Sequence, residues 1–322
     1  MSSDTFEKPD PPKFTFKDIQ LATNDFAAEN LIAETSTSKV YEVQRLQSEE
    51  DEKVELINVL VHVLKYVLTA ETVFRLPEAC FPLLSVNNNI ISVVGYCGKL
   101  DEEVTVIVMQ NEANGSLDKH LSSKTLTWIQ RLRICLGIAR AIHYFHYGFR
   151  EGMSVIHGNI KSSRILLDDN WEPKLFGFEF SVVCKPSHPL VRIIKYGGSL
   201  EYMDPAFEKT GGINQKSDVF SLGVVLFEVL FGQRARIQND NRWYFADLAR
   251  RHYEETRLDE LIDPDLRQQM DSQSLHIFSE TVYRCLKEQR EQRLDTSRLV
   301  KKLEKALEHQ LRHENPVSIS IF

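Results

Sequence analysis

The sequence has little of what announces a metal site, a disulfide framework or a membrane. Its five cysteines, Cys80, Cys97, Cys135, Cys184 and Cys285, are odd in number and far apart, which argues against a zinc knuckle or a disulfide scaffold and for a reducing compartment. No apolar run is long enough to span a bilayer; the longest, residues 219–231, is broken by Ser221 and Glu228 and reads as a buried helix. Residues 1–14 are polar, with Pro9, Pro11 and Pro12, so a signal-peptide core is missing. Ser2 stands where myristoylation needs glycine, and the Ser-Ile-Ser-Ile-Phe end has no prenylatable cysteine. Dense Lys/Arg runs are missing too, and the net charge of -7 leaves no footprint for nucleic acid or anionic lipid. The expectation is a cytoplasmic protein with protein partners, no nucleic acid and no membrane insertion.

What is present is an ordinary globular composition, 42% hydrophobic and 26% charged, over 322 residues, enough for one long domain or two lobes. After a mobile leader, residues 1–13, the apolar spacing of Phe14, Ile19, Leu21, Ala22 and Phe26 predicts a short amphipathic helix ending at Asn24-Asp25. Residues 39–43, 54–60, 90–96 and 104–109 are rich in Val and Ile and read as strands, with the acidic run 48–52 as a hairpin loop. A helix is expected near 70–84, shortened by Pro77 and Pro82. From Gly115 the period turns helical: residues 128–146 carry one apolar face, 219–231 are apolar nearly all round, and Leu299, Leu303, Ala306 and Leu307 mark a last helix. The fold class is α+β, a small β-rich lobe followed by a large helical one.

The most telling stretch is His157-Gly158-Asn159-Ile160-Lys161-Ser162-Ser163-Arg164-Ile165-Leu166-Leu167-Asp168, followed by Phe176-Gly177-Phe178-Glu179. Its spacing resembles the protein-kinase catalytic loop H-R-D-x-x-x-x-N and the D-F-G beyond it. Further pieces in the same order are the 14–26 segment, Val93-Val94-Gly95-Tyr96-Cys97, Asn114-Gly115-Ser116-Leu117, 198–205 and 216–226. Together they resemble plant receptor-like kinases and receptor-like cytoplasmic kinases over residues 14–312. The resemblance implies a bilobal protein-kinase-like fold, with an N-lobe of about 14–110, a C-lobe of about 111–312 and a tail of 313–322. It also implies a hinge near 109–112, a nucleotide cleft, and Met109 as gatekeeper.

The residues that would carry the reaction are exchanged. A kinase needs a carboxylate at the attacking hydroxyl and two oxygen ligands for magnesium; those positions read Asn159, Arg164 and Gly177. The phosphate-loop glycines read Ala33, Thr35 and Ser38, with Glu34 adding charge, while Val40 is kept. The strand V-A-I-K aligns with 55–58, which puts Asn58 at the lysine position and Leu56 at the small residue beside adenine. Two readings of Leu56 stand, a pocket filler or a plain strand residue. Glu78 keeps the acidic partner of that lysine, and Lys161 keeps the phosphate contact. Lys161 and Arg164 together suggest a metal-free anion site; the competing and favoured reading pairs Arg164 with Glu179. A weak nucleotide pocket would comprise Val40, Leu56, Met109, Lys161, Arg164 and Leu166.

Gly158 replaces the arginine that binds an activation-loop phosphate. His157, Phe178, Asp218 and Arg293 keep the bracing positions, but the usual glutamate partner of Arg293 is Ala206, which should loosen the substrate-recognition segment unless another acid substitutes. His143 and His146 lie one helical turn apart, a spacing that helix packing explains without a metal. Ser181, Ser187 and Ser199 are either phosphorylation sites or parts of a solvated loop. The sequence therefore points to a pseudokinase, a scaffold, decoy or allosteric partner of a kinase, receptor or immune receptor in plant signalling. No cofactor is expected, with ATP doubtful and magnesium disfavoured; the alternatives are a weak or atypical serine/threonine kinase and an ATP-binding switch.

Overall fold

The structure, a computed structural model, describes residues 10–34, 38–48, 54–65, 80–101, 104–185, 190–193, 198–238 and 241–315. Two compact units divide between Ala113 and Asn114. In the small unit, β1 (Lys13–Phe14) is followed by α1 (Phe16–Ala22), β2 (Leu31–Glu34), β3 (Ser38–Gln47), β4 (Glu55–Lys65), α2 (Phe81–Leu84), β5 (Val93–Asp101) and β6 (Val104–Gln110). The strands form one sheet in the order β1-β5-β6-β4-β3-β2, antiparallel except for β1 on β5. Thr15 starts α1 through a capping box with Asp18, and Ile19 anchors the helix on the sheet. The helix stops at Ala22, before the expected Asn24-Asp25, because Asn24, Asp25 and Phe26 all turn left-handed.

The β3–β4 hairpin forms as expected, with the Ser48 amide bonded to the Val54 carbonyl at 3.1 Å; residues 49–53 lie outside the described part. Yet β4 continues five residues beyond the expected end at Leu60, since Val61-His62-Val63-Leu64 still alternate across the sheet. Of the helix expected at 70–84 only α2 is described, and Glu78 lies outside the described residues.

The large unit begins with α3 (Trp128–His143), capped by Thr127 and Gln130, which passes into a π-helical turn at Tyr144–Gly148. Then come β7 (Ser154–Ile156), β8 (Ile165–Leu167), β9 (Pro173–Leu175), β10 (Val182–Cys184), β11 (Val191–Arg192), α4 (Ala206–Thr210) and β12 (Gly212–Ile213). They pair as short two-stranded ribbons, β7 with β10, β8 with β9 and β11 with β12. The remainder is helical: α5 (Gln215–Phe231), α6 (Tyr244–Glu254), α7 (Pro264–Gln269), α8 (Ser272–Cys285) and α9 (Thr296–Glu314). α5 is buried from Ser217 to Leu230, as a run apolar nearly all round predicts, and ends at left-handed Gly232. α9 buries Leu299, Leu303 and Ala306 in packing against α3 and α8. The α+β class read from the sequence is what the structure has. Among the described residues no helix is long and apolar enough to cross a membrane.

Candidate functional site

In the large unit, the segment from β7 to the 3-10 turn Ser162–Arg164 is held by one carboxylate. Asp218, in the first turn of α5, accepts the amides of His157 and Gly158 at 2.8 and 2.9 Å, and His146 Nε2 lies 3.0 Å from the same group. The Asn159 amide donates to His157 Nδ1 at 3.2 Å, so the proton sits on Nε2, which donates to the Phe176 carbonyl at 3.2 Å. Phe178 closes edge-on against His157 and Phe145. This buried frame needs no metal, and it accounts for His146; His143 instead meets Thr296 Oγ1 at 3.2 Å. Burial, with His146 nearby, lowers the His143 pKa.

Within that frame the positions expected to be altered come together. Asn159 is buried, with an amide where a carboxylate would take the proton. Arg164 is only 4% exposed, and its guanidinium carbon lies 5.2 Å from the centre of the Phe176 ring. Gly177 has φ +94°, and a Cβ placed on it would stand 2.8 Å from Arg164 Cδ. The arginine stem thus occupies the room a metal-binding side chain at 177 would use, and the two replacements interlock. A magnesium ion, which takes oxygen ligands, does not fit this pair. Among the described residues no group of three or more His, Cys, Asp or Glu is placed to hold a metal. The side chain of Glu179, and with it the expected Arg164–Glu179 pair, lies outside the described residues.

Gly158 suits this backbone: φ is +74° and a Cβ would come within 2.8 Å of the Phe180 carbonyl oxygen, so a side chain there would force the backbone to shift. Lys161 caps the 3-10 turn and donates from Nζ to Ser199 Oγ at 2.8 Å. Ser181 is neither solvated nor open to modification; it is 2% exposed and donates to the His157 carbonyl at 3.1 Å. Ser187 lies outside the described residues.

The loosening expected from Ala206 does not occur. Asp204, two residues earlier, is buried between Arg290 Nε at 2.6 Å and Arg293 Nη2 at 2.7 Å, and also accepts from Ser217 at 2.8 Å. Burial alone would raise its pKa; the two guanidinium groups outweigh that and hold it below the usual carboxylate value. The substitute acid is visible in the sequence only as an aspartate two positions out of place. A second buried acid, Glu228 on α5, accepts from Tyr202 OH at 2.6 Å and the Ala235 amide at 2.7 Å, and burial pushes its pKa up to about 7.

In the small unit, β2 and β3 carry Ala33, Glu34, Ser38 and Val40, with residues 35–37 outside the described part. Glu34 faces Lys39 Nζ at 3.0 Å across this hairpin. Asn58 is exposed with φ +50°, and this kink reverses the alternation of β4. Leu56 consequently pairs with Leu46 and packs on the core that holds α1, away from the face of Val40. This corrects its inclusion in the pocket: it is a strand residue in the core. Opposite Met109 stands Leu60, and two residues on, opposite Val40 and Ile107, stands buried His62. Val59-Leu60-Val61-His62 repeats the V-A-I-K spacing four residues later than the sequence alignment, in the part of β4 that pairs with β6. The signal available was the Val-x-Val-x-Val alternation of residues 59–63. Leu166, the last pocket candidate, lies on β8 of the large unit, paired with Lys174.

A protein kinase domain model matches residues 78–310. Among curated relatives, a probable receptor-like protein kinase of Arabidopsis thaliana is 35% identical over 62% of this chain and 24% of its own length. A putative receptor-like protein kinase of the same plant is 32% identical over 92% of this chain and 34% of its own. The receptor-like protein kinase FERONIA, also from A. thaliana, is 32% identical over 70% of this chain and 25% of its own. The chain therefore spans about a quarter to a third of these relatives. With the bracing frame of His157, Phe178 and Asp218 inside the matched region, the chain belongs to the protein kinase domain family, and these relatives are plant receptor-like protein kinases.

Proposed function

We propose that this chain is a pseudokinase, a kinase-fold protein without phosphotransfer that serves in the cytoplasm as a scaffold, decoy or allosteric partner in plant receptor or immune kinase signalling. The interlock of Arg164 with Gly177 carries the reading, because it fills the place of one metal ligand with the side chain that replaced the other. Asn159 adds the loss of a general base, typically worth roughly 10² to 10⁴-fold in rate. His62 and Leu60 are assigned here to the lysine and small-residue positions in place of Asn58 and Leu56, so a cation for the phosphates is missing in either register. Neither ATP nor magnesium is a working cofactor in this reading. Partners are another kinase, a receptor or an immune receptor, by analogy with relatives named as receptor-like kinases.

The retained Lys161, bonded to Ser199, favours a second reading, a weak kinase or an ATP-binding switch. A thermal-shift titration with ATP, with and without magnesium, separates them. No shift in either condition is expected; a magnesium-dependent shift, or phosphotransfer above an Asn159→Ala/Lys161→Ala control, overturns the inactive reading. A shift that is larger without magnesium supports the switch.

A further inference from the structure

On a chain whose net charge is -7, α9 carries five Lys or Arg against three Glu. Arg298, Lys301, Lys305, His309 and Arg312 follow one another at spacings of three, four, four and three residues. At about 100° per residue they share an arc of roughly 80°. Spread over residues 298–312 they make no dense run in the sequence; the helix gathers them on a side turned away from buried Leu299, Leu303 and Ala306. No acid of the helix falls within the arc. Glu304 meets Arg140 of α3 at 2.8 Å, Glu314 accepts from Gln310 at 3.2 Å, and Glu308 pairs with Arg312 from the arc's edge. Lys302, on the other flank, is held by Glu280 of α8 at 2.7 Å. Arg298 reaches only the Asp295 cap, at 3.4 Å. Lys301 and Lys305 are exposed and have no ion-pair partner among the described residues.

We infer that this arc is a docking surface for an acidic helix of a partner protein, one that carries Asp or Glu at every third or fourth position. The repeat decides the occupant. Successive bases rise about 4.5 or 6 Å along the axis, and the stripe from Arg298 to Arg312 runs roughly 21 Å. Carboxylates on a second helix therefore meet them one for one, as the charged flanks of paired helices do. An extended strand places its same-side carboxylates about 6.7 Å apart and falls out of step along the stripe. A bilayer fits less well, because the arc holds no aromatic or aliphatic side chain to enter the interface. Complementary charge of this kind sets encounter rate and partner choice more than tightness, so the contact is weak and salt-sensitive. It uses none of the altered catalytic positions and holds whether or not the chain transfers phosphate.

The test titrates the full chain, in fluorescence anisotropy at low ionic strength, against a fluorescein-labelled alanine-based helix bearing glutamates at the same three, four, four, three spacing. That spacing reads alike in both directions, so the probe meets the arc in either orientation. Lys301→Glu with Lys305→Glu should weaken binding by about ten-fold or more, with the thermal midpoint unchanged because neither side chain is paired or buried. Arg133→Glu with Lys209→Glu makes the same change in net charge at exposed positions of α3 and α4, and should leave binding within about two-fold. A probe with lysines at its three central positions should bind the Lys301→Glu/Lys305→Glu variant more tightly than the unaltered chain. No measurable binding of the glutamate probe, equal weakening by the two double variants, or no gain from the lysine probe overturns the proposal. So does equal binding of a peptide of the same composition whose glutamates are spread round the helix. Tighter binding of phosphatidylserine vesicles than of the probe also overturns it, by making the arc a lipid contact.

Discussion

The large and small units depart from the kinase residue pattern in different ways. In the large unit positions 159, 164 and 177 have changed inside a polar frame that is kept or replaced in kind: Asp218 holds the amides of His157 and Gly158, and Asp204 takes both buried arginines. In the small unit other residues stand at the positions expected for the glycines and the strand lysine, and apolar pairing runs across β3, β4 and β6. The kinase domain model starts at residue 78, inside the small unit, so it takes in α2, β5 and β6 and leaves β1 to β4 outside. Orphaning a buried polar group costs roughly 1 to 3 kcal/mol, so members of such a network are retained together. A sheet face accepts most apolar side chains of suitable size, so its sequence can drift while its shape stays.

That contrast can be broken most directly at Asp204. Asp204→Ala should destabilise the large unit by roughly 3 to 5 kcal/mol, because two buried arginines lose their acid. Urea unfolding followed by tryptophan fluorescence reads this unit alone, since Trp128, Trp171 and Trp243 all lie in it. The matching change in the small unit, Glu34→Ala at an exposed pair, followed by far-UV circular dichroism because that unit holds no tryptophan, should give no measurable loss. Comparable losses at the two sites would remove the distinction.

Next in size is a pH effect centred on Glu228. Its carboxyl is raised from an ordinary value of 4.5 to about 7 by burial, so the unfolded chain releases this proton first as pH rises. Stability should therefore fall between about pH 4.5 and 7, by roughly 3 kcal/mol, and level off above. Glu228→Gln should flatten that slope. Asp204, whose pKa is lowered from 3.8, acts in the opposite sense: its contribution is present above about pH 4 and is lost only as pH falls through its folded value. The two windows do not overlap.

A smaller effect tests the interlock. Gly177→Asp should lower stability by roughly 1 to 3 kcal/mol through overpacking on the Arg164 stem. Adding Arg164→Asn should recover part of that loss, a coupling that additive single changes would contradict in a double-mutant cycle. The smallest change is expected at the β4 kink. Asn58→Gly should alter the thermal midpoint by the equivalent of no more than about 0.5 kcal/mol, since both residues tolerate a left-handed backbone. Asn58→Val, followed by circular dichroism, should cost more, roughly 1 to 2 kcal/mol.

Most of the architecture is legible in hydrophobic period and motif order: α3, α5 and α9, the β3–β4 hairpin, and the identity of positions 157 to 178 all follow from spacing along the chain. The errors have more than one origin. Alternation cannot reveal a left-handed residue inside a strand, and the kink at Asn58 puts Leu56 in the core that holds α1 instead of the pocket. Nor can spacing show that a missing acid has been replaced from two residues away, as Asp204 replaces the glutamate absent at Ala206. Local sequence carries each exchange at an expected site position, because a side chain's chemistry belongs to the residue itself. Only the folded chain decides whether the exchanges leave gaps or fillings, because volume and hydrogen-bond satisfaction belong to neighbours brought together from distant positions. Arg164 over Gly177 and Asp204 between Arg290 and Arg293 are fillings.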